Sequence, residues 1–132
     1  MTIAYLGLGS NVGDRQANID AAIRAIDALP GTEVMKVSTI IETEPVGGPP
    51  QGPFLNGAVE IDTELTPRQL LDAVKGIERG LGRVRTVKDG PRTIDIDILL
   101  YGDLSVREDG LRIPHPRMHE RDFVKIPLRE IA

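Results

Sequence analysis

The 132 residues of this chain include 20 acidic and 16 basic side chains, which give a formal net charge of −4 and a pI of about 5.2. This acidic balance disfavours nucleic acid as a partner, and the absence of cysteine excludes a disulfide framework and a thiolate metal site. Length and a hydrophobic content of 40% predict one globular domain over residues 1–132. The absence of cysteine is compatible with a reducing cytoplasm, where we expect the protein to be located.

The first predicted element is a buried strand over Ile3–Leu8. It lacks the basic flank and long apolar core of a signal peptide, and no later apolar run approaches a membrane span, so we expect no membrane partner. A glycine-rich turn, Gly7–Asp14, is predicted next, followed by a helix over Asn18–Leu29. The turn lacks the phosphate-binding and dinucleotide-binding fingerprints, so we interpret its glycines as permitting a tight turn.

The middle of the chain predicts two strands and a second helix. The strands cover Thr32–Thr43 and Phe54–Thr63, and between them lies Glu44–Pro53, with four prolines and three glycines in ten residues. A loop of this composition inside a compact domain is typical of a lid or binding loop. The helix begins with Thr66 as its N-cap and ends at Gly80.

A basic loop, Arg83–Arg92, runs directly into an alternating strand. From Thr93 to Ile98 apolar and polar residues alternate, so Asp95 and Asp97 share one face. Arginines suit phosphate oxygens, and two carboxylates about 7 Å apart suit a hard cation such as Mg²⁺. The combination predicts a phosphate-and-metal site. The alternative interpretation is a solvated loop beside an exposed acidic strand face.

Shorter elements complete the chain. After a turn at Gly102 we predict a hairpin over Leu104–Leu111, an extended stretch over Ile113–Pro116, a helical turn over Met118–Phe123 and an apolar terminal segment over Val124–Ile131. The order of the main elements is strand, helix, strand, strand, helix, strand. This order predicts an α+β, ferredoxin-like β-α-β-β-α-β fold, with a mostly antiparallel sheet, both helices on one face and long active-site loops.

Five segments together resemble one enzyme family: they are Leu8–Asn11, Phe54–Asn56, Glu78–Arg85, Gly90–Asp97 and Ile113–Met118. In this order, and over nearly the whole chain, they are similar to the 6-hydroxymethyl-7,8-dihydropterin pyrophosphokinases of the folate pathway. The resemblance implies transfer of a pyrophosphoryl group from ATP to the hydroxymethyl group of the pterin, with AMP as the second product. We expect a monomer with these two small-molecule substrates.

The resemblance also implies residue roles. Asp95 and Asp97 would hold two Mg²⁺ ions, and Arg83 and Arg92 would be the catalytic, charge-stabilising residues. The ATP side would be lined by Glu78, Arg85, His115 and Arg121. The pterin pocket would be formed by Thr43, Val46, Phe54, Asn56 and Phe123. These roles agree with the chemistry, because phosphoryl transfer needs positioning and charge neutralisation, and a flat pterin needs stacking faces and a polar edge reader.

The sequence departs from the family pattern at Asp89, where many members carry a tryptophan, and at Pro116, where an aromatic residue is frequent. It also stops at Ala132, where many members continue. A negative charge at position 89 cannot replace an indole contact, and we expect it to slow closure of the loop. None of these departures touches Asp95, Asp97, Arg83 or Arg92.

Two other functions share parts of this pattern. An RNA-recognition module has the same order of elements, but it carries aromatic residues on central strands and a basic surface. A salt-dependent shift of RNA mobility would reveal it. A non-catalytic nucleotide sensor of the same fold would bind ATP without turnover, and release of AMP separates the enzyme from the sensor.

Overall fold

The computed structural model describes residues 1–45, 48–82, 93–118 and 120–132. In chain order its elements are β1 (Thr2–Ser10), α1 (Arg15–Asp27), β2 (Thr32–Val37), β3 (Ile41–Thr43), β4 (Phe54–Thr63), α2 (Pro67–Gly80), β5 (Asp95–Tyr101), β6 (Val106–Glu108), β7 (Leu111–Ile113) and α3 (Asp122–Ile131).

The main sheet has the strand order β2-β4-β1-β5, and β3 pairs with the first residues of β4. Every strand pairing that the structure describes is antiparallel. The strands β6 and β7 form a separate hairpin beside β5. The predicted mostly antiparallel α+β fold is therefore confirmed, and β1 lies at its centre between β4 and β5.

The predicted pair of helices, α1 and α2, covers one face of this sheet. Their apolar stripes meet the sheet in an aliphatic core in which Leu6, Ile19 and Val74 have no exposed surface. The burial of such side chains is the main force that holds the layers together. Side-chain caps fix where each helix begins, since Asp14 accepts from the amide of Ala17 and a Thr66–Gln69 capping box precedes α2.

The prediction of one strand over Thr32–Thr43 was wrong, because the structure divides this segment into β2 and β3. The division falls at the buried Ser38, whose hydroxyl accepts the amide of Ala58 at 2.8 Å. Ile40 then lies over Gly57. A Cβ added to Gly57 would come within 2.4 Å of Cδ1 of Ile40, so only glycine leaves room for this side chain. A side chain and a glycine of β4 thus set the break in the strand.

The apolar terminal segment is a helix, α3, which the sequence interpretation missed. It lies on the face opposite α1 and α2, where Leu128 and Val124 pack with Leu99 of β5. The C-terminal end of α3 is held by Glu130, whose carboxylate accepts hydrogen bonds from the amide and the hydroxyl of Thr39, each at 2.8 Å. The sheet face opposite the two predicted helices is therefore partly covered by α3. In the described part of the chain, no helix combines the length and apolar character needed to cross a membrane.

Candidate active site

A cleft opens on the sheet face that α3 partly covers, and two glycines of β1 form its floor. In the sheet register Gly9 lies between Asp95 of β5 and Asn56 of β4, and Gly7 lies beside Asp97. Side chains of laterally paired residues point to the same face of a sheet. The glycines therefore leave an empty strip between the two carboxylates on one side and the amide of Asn56 on the other.

The prediction that Gly7 and Gly9 belong to a tight turn was wrong, because both lie within β1, which continues to Ser10. The signal that could have revealed this is the alternation of Leu6, Gly7, Leu8 and Gly9. Read with period two, it gives one aliphatic face and one bare face. The leucines enter the core, and the bare face is the floor of the cleft.

The cleft has about 770 Å³ of empty space, counted out to its open mouth. Most predicted site residues in the described part of the chain line it together: Thr43, Phe54, Asn56, Asp95, Asp97, Arg121 and Phe123. The floor glycines, Leu99 and Val124 also line it and were not predicted.

The polar end of the cleft is organised by Asn56. This residue is only 7% exposed, and its Nδ2 donates a hydrogen bond to the hydroxyl of Thr43. Thr43 is in turn the cross-strand partner of Phe54. An aromatic ring and an amide with both donor and acceptor atoms thus face the same space.

Arg121 and Phe123 enter the cleft from the start of α3, where Arg121 is the N-cap and Phe123 lies in the first turn. The guanidinium carbon of Arg121 lies 5.4 Å from the centre of the Phe123 ring, at the distance of a cation–π contact. The resemblance assigned Arg121 to the ATP side and Phe123 to the pterin pocket. The structure brings both into one cleft with Asp95 and Asp97, where a cation would meet a bound phosphate.

His115 lies at the edge of the carboxylate pair, with Nε2 4.0 Å from Oδ1 of Asp97. Burial lowers the pKa of His115, and the guanidinium of Arg121 lowers it further, while Asp95 raises it. The ring is therefore neutral at neutral pH. Because Nδ1 accepts the amide of Arg117 at 3.3 Å, the ring proton lies on Nε2 and faces Asp97.

A second depression lies along the outer edge of β5. Its lining includes Leu71, Ile98 and Leu111 together with Arg112 and His115. Asp97 lines both this depression and the cleft. The two spaces therefore meet at one carboxylate.

Glu78 does not line either space. Glu78 as a whole is 7% exposed, and its Oε2 accepts a hydrogen bond from the amide of Ile96 at 2.8 Å. That amide belongs to the residue between Asp95 and Asp97, so Glu78 fixes the backbone that carries both carboxylates. Its predicted contact with ATP stays a prediction.

Four residues of the predicted site lie outside the described residues: they are Val46, Arg83, Arg85 and Arg92. Asp89, where the sequence departs from the family pattern, also lies outside the described residues.

The donor set of the cleft fits Mg²⁺ that arrives with a nucleotide. Within residues 1–45, 48–82, 93–118 and 120–132, no three or more His, Cys, Asp or Glu side chains are grouped to hold a metal alone. Asp95 and Asp97 supply oxygen atoms at an open cleft. Mg²⁺ commonly takes one or two carboxylates and completes its shell with phosphate oxygens and water.

Comparison with known proteins shows which family this chain resembles. The model of the family described as 7,8-dihydro-6-hydroxymethylpterin-pyrophosphokinase (HPPK) matches residues 5–132. The 2-amino-4-hydroxy-6-hydroxymethyldihydropteridine pyrophosphokinase of Bacillus subtilis (strain 168) is 50% identical over 130 residues, which are 98% of this chain and 78% of the relative. The protein of the same name from Methylorubrum extorquens is 50% identical over 132 residues, 100% of this chain and 84% of the relative. The crystal structure of Plasmodium falciparum HPPK-DHPS is similar in fold, with a TM-score of 0.74 and 16% identity over 99% of this chain and 40% of that one.

Proposed function

This chain belongs to the 7,8-dihydro-6-hydroxymethylpterin-pyrophosphokinase family, and on that premise we propose that the cleft over β1 is where it joins its two substrates. The protein has the activity of this family: it is a pyrophosphokinase that acts on hydroxymethyldihydropterin in folate biosynthesis. ATP is the donor. One observation carries the location: two carboxylates and an aromatic–amide pair face each other across a floor without side chains.

The pterin half of the proposal rests on Phe54, Phe123 and Asn56. The two rings offer stacking faces to a flat bicycle, and Asn56 offers a donor and an acceptor to its polar edge. Thr43 holds the amide of Asn56 in place. The hydroxymethyl group of a pterin bound in this way would point along the floor toward Asp95 and Asp97.

The phosphate half rests on Asp95, Asp97 and Arg121. We propose that the two aspartates hold two Mg²⁺ ions, which neutralise the charge that develops on the phosphates. In the transfer a bond forms between the hydroxymethyl oxygen and the β-phosphorus. The bond from the β-phosphorus to the oxygen that joins it to the α-phosphorus breaks, AMP leaves with that oxygen, and the proton of the hydroxymethyl group passes to water. Arg121 adds positive charge in the same cleft, and the predicted catalytic pair Arg83 and Arg92 would add more.

The adenosine half of ATP would occupy the depression along β5. Leu71, Ile98 and Leu111 give it an apolar lining, and His115 stands where it meets the cleft. Contacts from Glu78 and Arg85, the monomeric state and the cytoplasmic location remain predictions.

The test is to incubate the protein with ATP, Mg²⁺ and 6-hydroxymethyl-7,8-dihydropterin and to measure AMP. We expect AMP only when both the pterin and Mg²⁺ are present. AMP without pterin would indicate hydrolysis of ATP, and bound nucleotide without AMP would favour the sensor.

Replacing Phe123 by alanine is expected to weaken pterin binding about tenfold, since one stacking face is lost. The affinity for α,β-methylene-ATP, which cannot transfer its pyrophosphate, should not change. Titration calorimetry measures both affinities. Ile126→Ala is the control, because Ile126 lies on the same helix and is 55% exposed. Unchanged pterin affinity in Phe123→Ala would remove Phe123 from the pocket.

The two floor glycines allow a matched comparison, because Gly9→Ala and Gly7→Ala each add one methyl group to the cleft. A Cβ on Gly9 would lie 2.9 Å from Oδ1 of Asn56, whereas a Cβ on Gly7 would lie 3.5 Å from Leu99, at ordinary contact distance. Gly9→Ala is therefore expected to displace the Asn56 side chain and raise the KM for pterin about tenfold. Gly7→Ala should have a clearly smaller effect in the same steady-state assay. Equal effects would contradict the assignment of Asn56 as the edge reader.

A further inference from the structure

We propose that Arg15 is a positioning residue for the pterin end of the cleft and acts from the opposite face of the sheet. Its guanidinium donates from Nη1 to the carbonyl of Pro53 at 2.9 Å and from Nη2 to Oε2 of Glu42 at 3.0 Å. These two acceptors immediately precede Phe54 and Thr43, which are cross-strand partners that line the cleft. One side chain thus fixes the end of the β3–β4 ladder on which both residues stand.

The side of the sheet from which Arg15 acts follows from strand geometry. Glu42 and Thr43 are neighbours in β3, so their side chains point to opposite faces. Thr43 faces the cleft, and Glu42 therefore faces the side of α1, where Arg15 is the first helical residue. Arg15 does not line the cleft and would touch no substrate there.

The stability of α1 does not explain an arginine at this position. The first turn of a helix carries partial positive charge, which disfavours a cation there, and α1 has no acidic residue in that turn. The Arg15 side chain is also only 29% exposed. What the guanidinium supplies is a planar fork that reaches two acceptors at once.

A second set of hydrogen bonds, from Asn11 in the turn between β1 and α1, supports this role. Asn11 donates from Nδ2 to Oε1 of Gln51 at 2.8 Å and to the carbonyl of Gly52 at 3.1 Å. Together Asn11 and Arg15 hold three successive residues, 51–53, directly before Phe54. The position of the Phe54 ring is therefore set by the turn between β1 and α1.

This inference rests on the proposed function, because it places the pterin beside Phe54 and Thr43. The experiment measures KM for pterin, KM for ATP and kcat of the full chain at saturating Mg²⁺, together with its Tm. Arg15→Ala is expected to raise the KM for pterin about tenfold, with kcat and the KM for ATP changed by less than about threefold. Arg15→Lys should recover part of this loss, because an ammonium group lacks the planar fork but keeps the charge.

Arg68→Ala is the matched control. Arg68 makes the same kind of tether, to Oε1 of Glu108 at 2.9 Å and to the carbonyl of Asp109 at 3.2 Å, but at the β6–β7 hairpin. Its KM for pterin should stay within about twofold of the wild-type value. A lower Tm in Arg15→Ala with an unchanged KM for pterin, or an equal rise in Arg68→Ala, would overturn the inference.

Two further outcomes are separable. If the wild-type protein forms no AMP, the proposed function fails; if it does and Arg15→Ala has normal kinetics, only the positioning role fails. Should Arg15→Ala not fold, Glu42→Gln keeps the shape of the acceptor and removes its charge. It is expected to raise the KM for pterin about threefold, and no rise would overturn the inference.

Discussion

Replacing Asp95 or Asp97 by asparagine is expected to lower the rate of AMP formation by about a thousandfold or more, which corresponds to about 4 kcal/mol of lost transition-state stabilisation. The amide keeps the size of the carboxylate but not the charge that holds a hard cation. Both side chains face an open cleft, so water can solvate the new amide and the fold should persist. The measurement is kcat at saturating ATP and pterin, with a urea unfolding curve for each variant.

Asp103→Asn is the control for this charge change, because Asp103 is an exposed aspartate two residues beyond β5. Its rate should equal that of the wild-type protein. Each active-site variant is also titrated with Mg²⁺, since a weakened metal site demands more metal before any activity returns. A near-normal kcat in either variant at ordinary Mg²⁺ concentration would contradict the metal role of that aspartate.

Replacing Asn56 by leucine is expected to weaken pterin binding about a hundredfold, or by about 2.7 kcal/mol. Leucine is similar in size but leaves the polar edge of the pterin facing an apolar side chain at a buried position, and each unmade hydrogen bond there costs about 1–3 kcal/mol. Titration calorimetry in the presence of α,β-methylene-ATP measures the loss without turnover. The affinity for the nucleotide analogue itself should not change.

Thr63→Val is the control, because it also replaces a buried polar side chain of β4 by an apolar one of similar size. Thr63 is fully buried on the other face of the strand, where its hydroxyl pairs with that of Thr32 at 2.7 Å. This variant should unfold at a lower temperature and bind pterin normally. Pterin affinity that is unchanged in Asn56→Leu would show that the edge is recognised elsewhere.

Local alternation in the sequence was sufficient to predict the faces of two strands. Asp95 and Asp97 share the cleft, as do Phe54 and Asn56, because the direction of each side chain in a strand follows from its position alone. A period of two needs no knowledge of the neighbouring strand.

Features that depend on distant partners could not be predicted in this way. The break between β2 and β3 is set by contacts of Ser38 and Ile40 with residues near Gly57. The bare floor of β1 depends on a register with two strands that come later in the chain. α3 was missed because Pro127 interrupts its pattern and removes one helical amide, while packing against Leu99 compensates.

The site takes its parts from both halves of the chain, and this has a consequence for biosynthesis. The floor residue Gly9 is made early, the carboxylates of β5 follow much later, and Phe123 and Val124 on α3 are the last of the cleft residues to leave the ribosome. A ligand stabilises only a state that can bind it. Pterin and nucleotide can therefore protect the finished enzyme against unfolding and proteolysis, but they give no such help to the nascent chain.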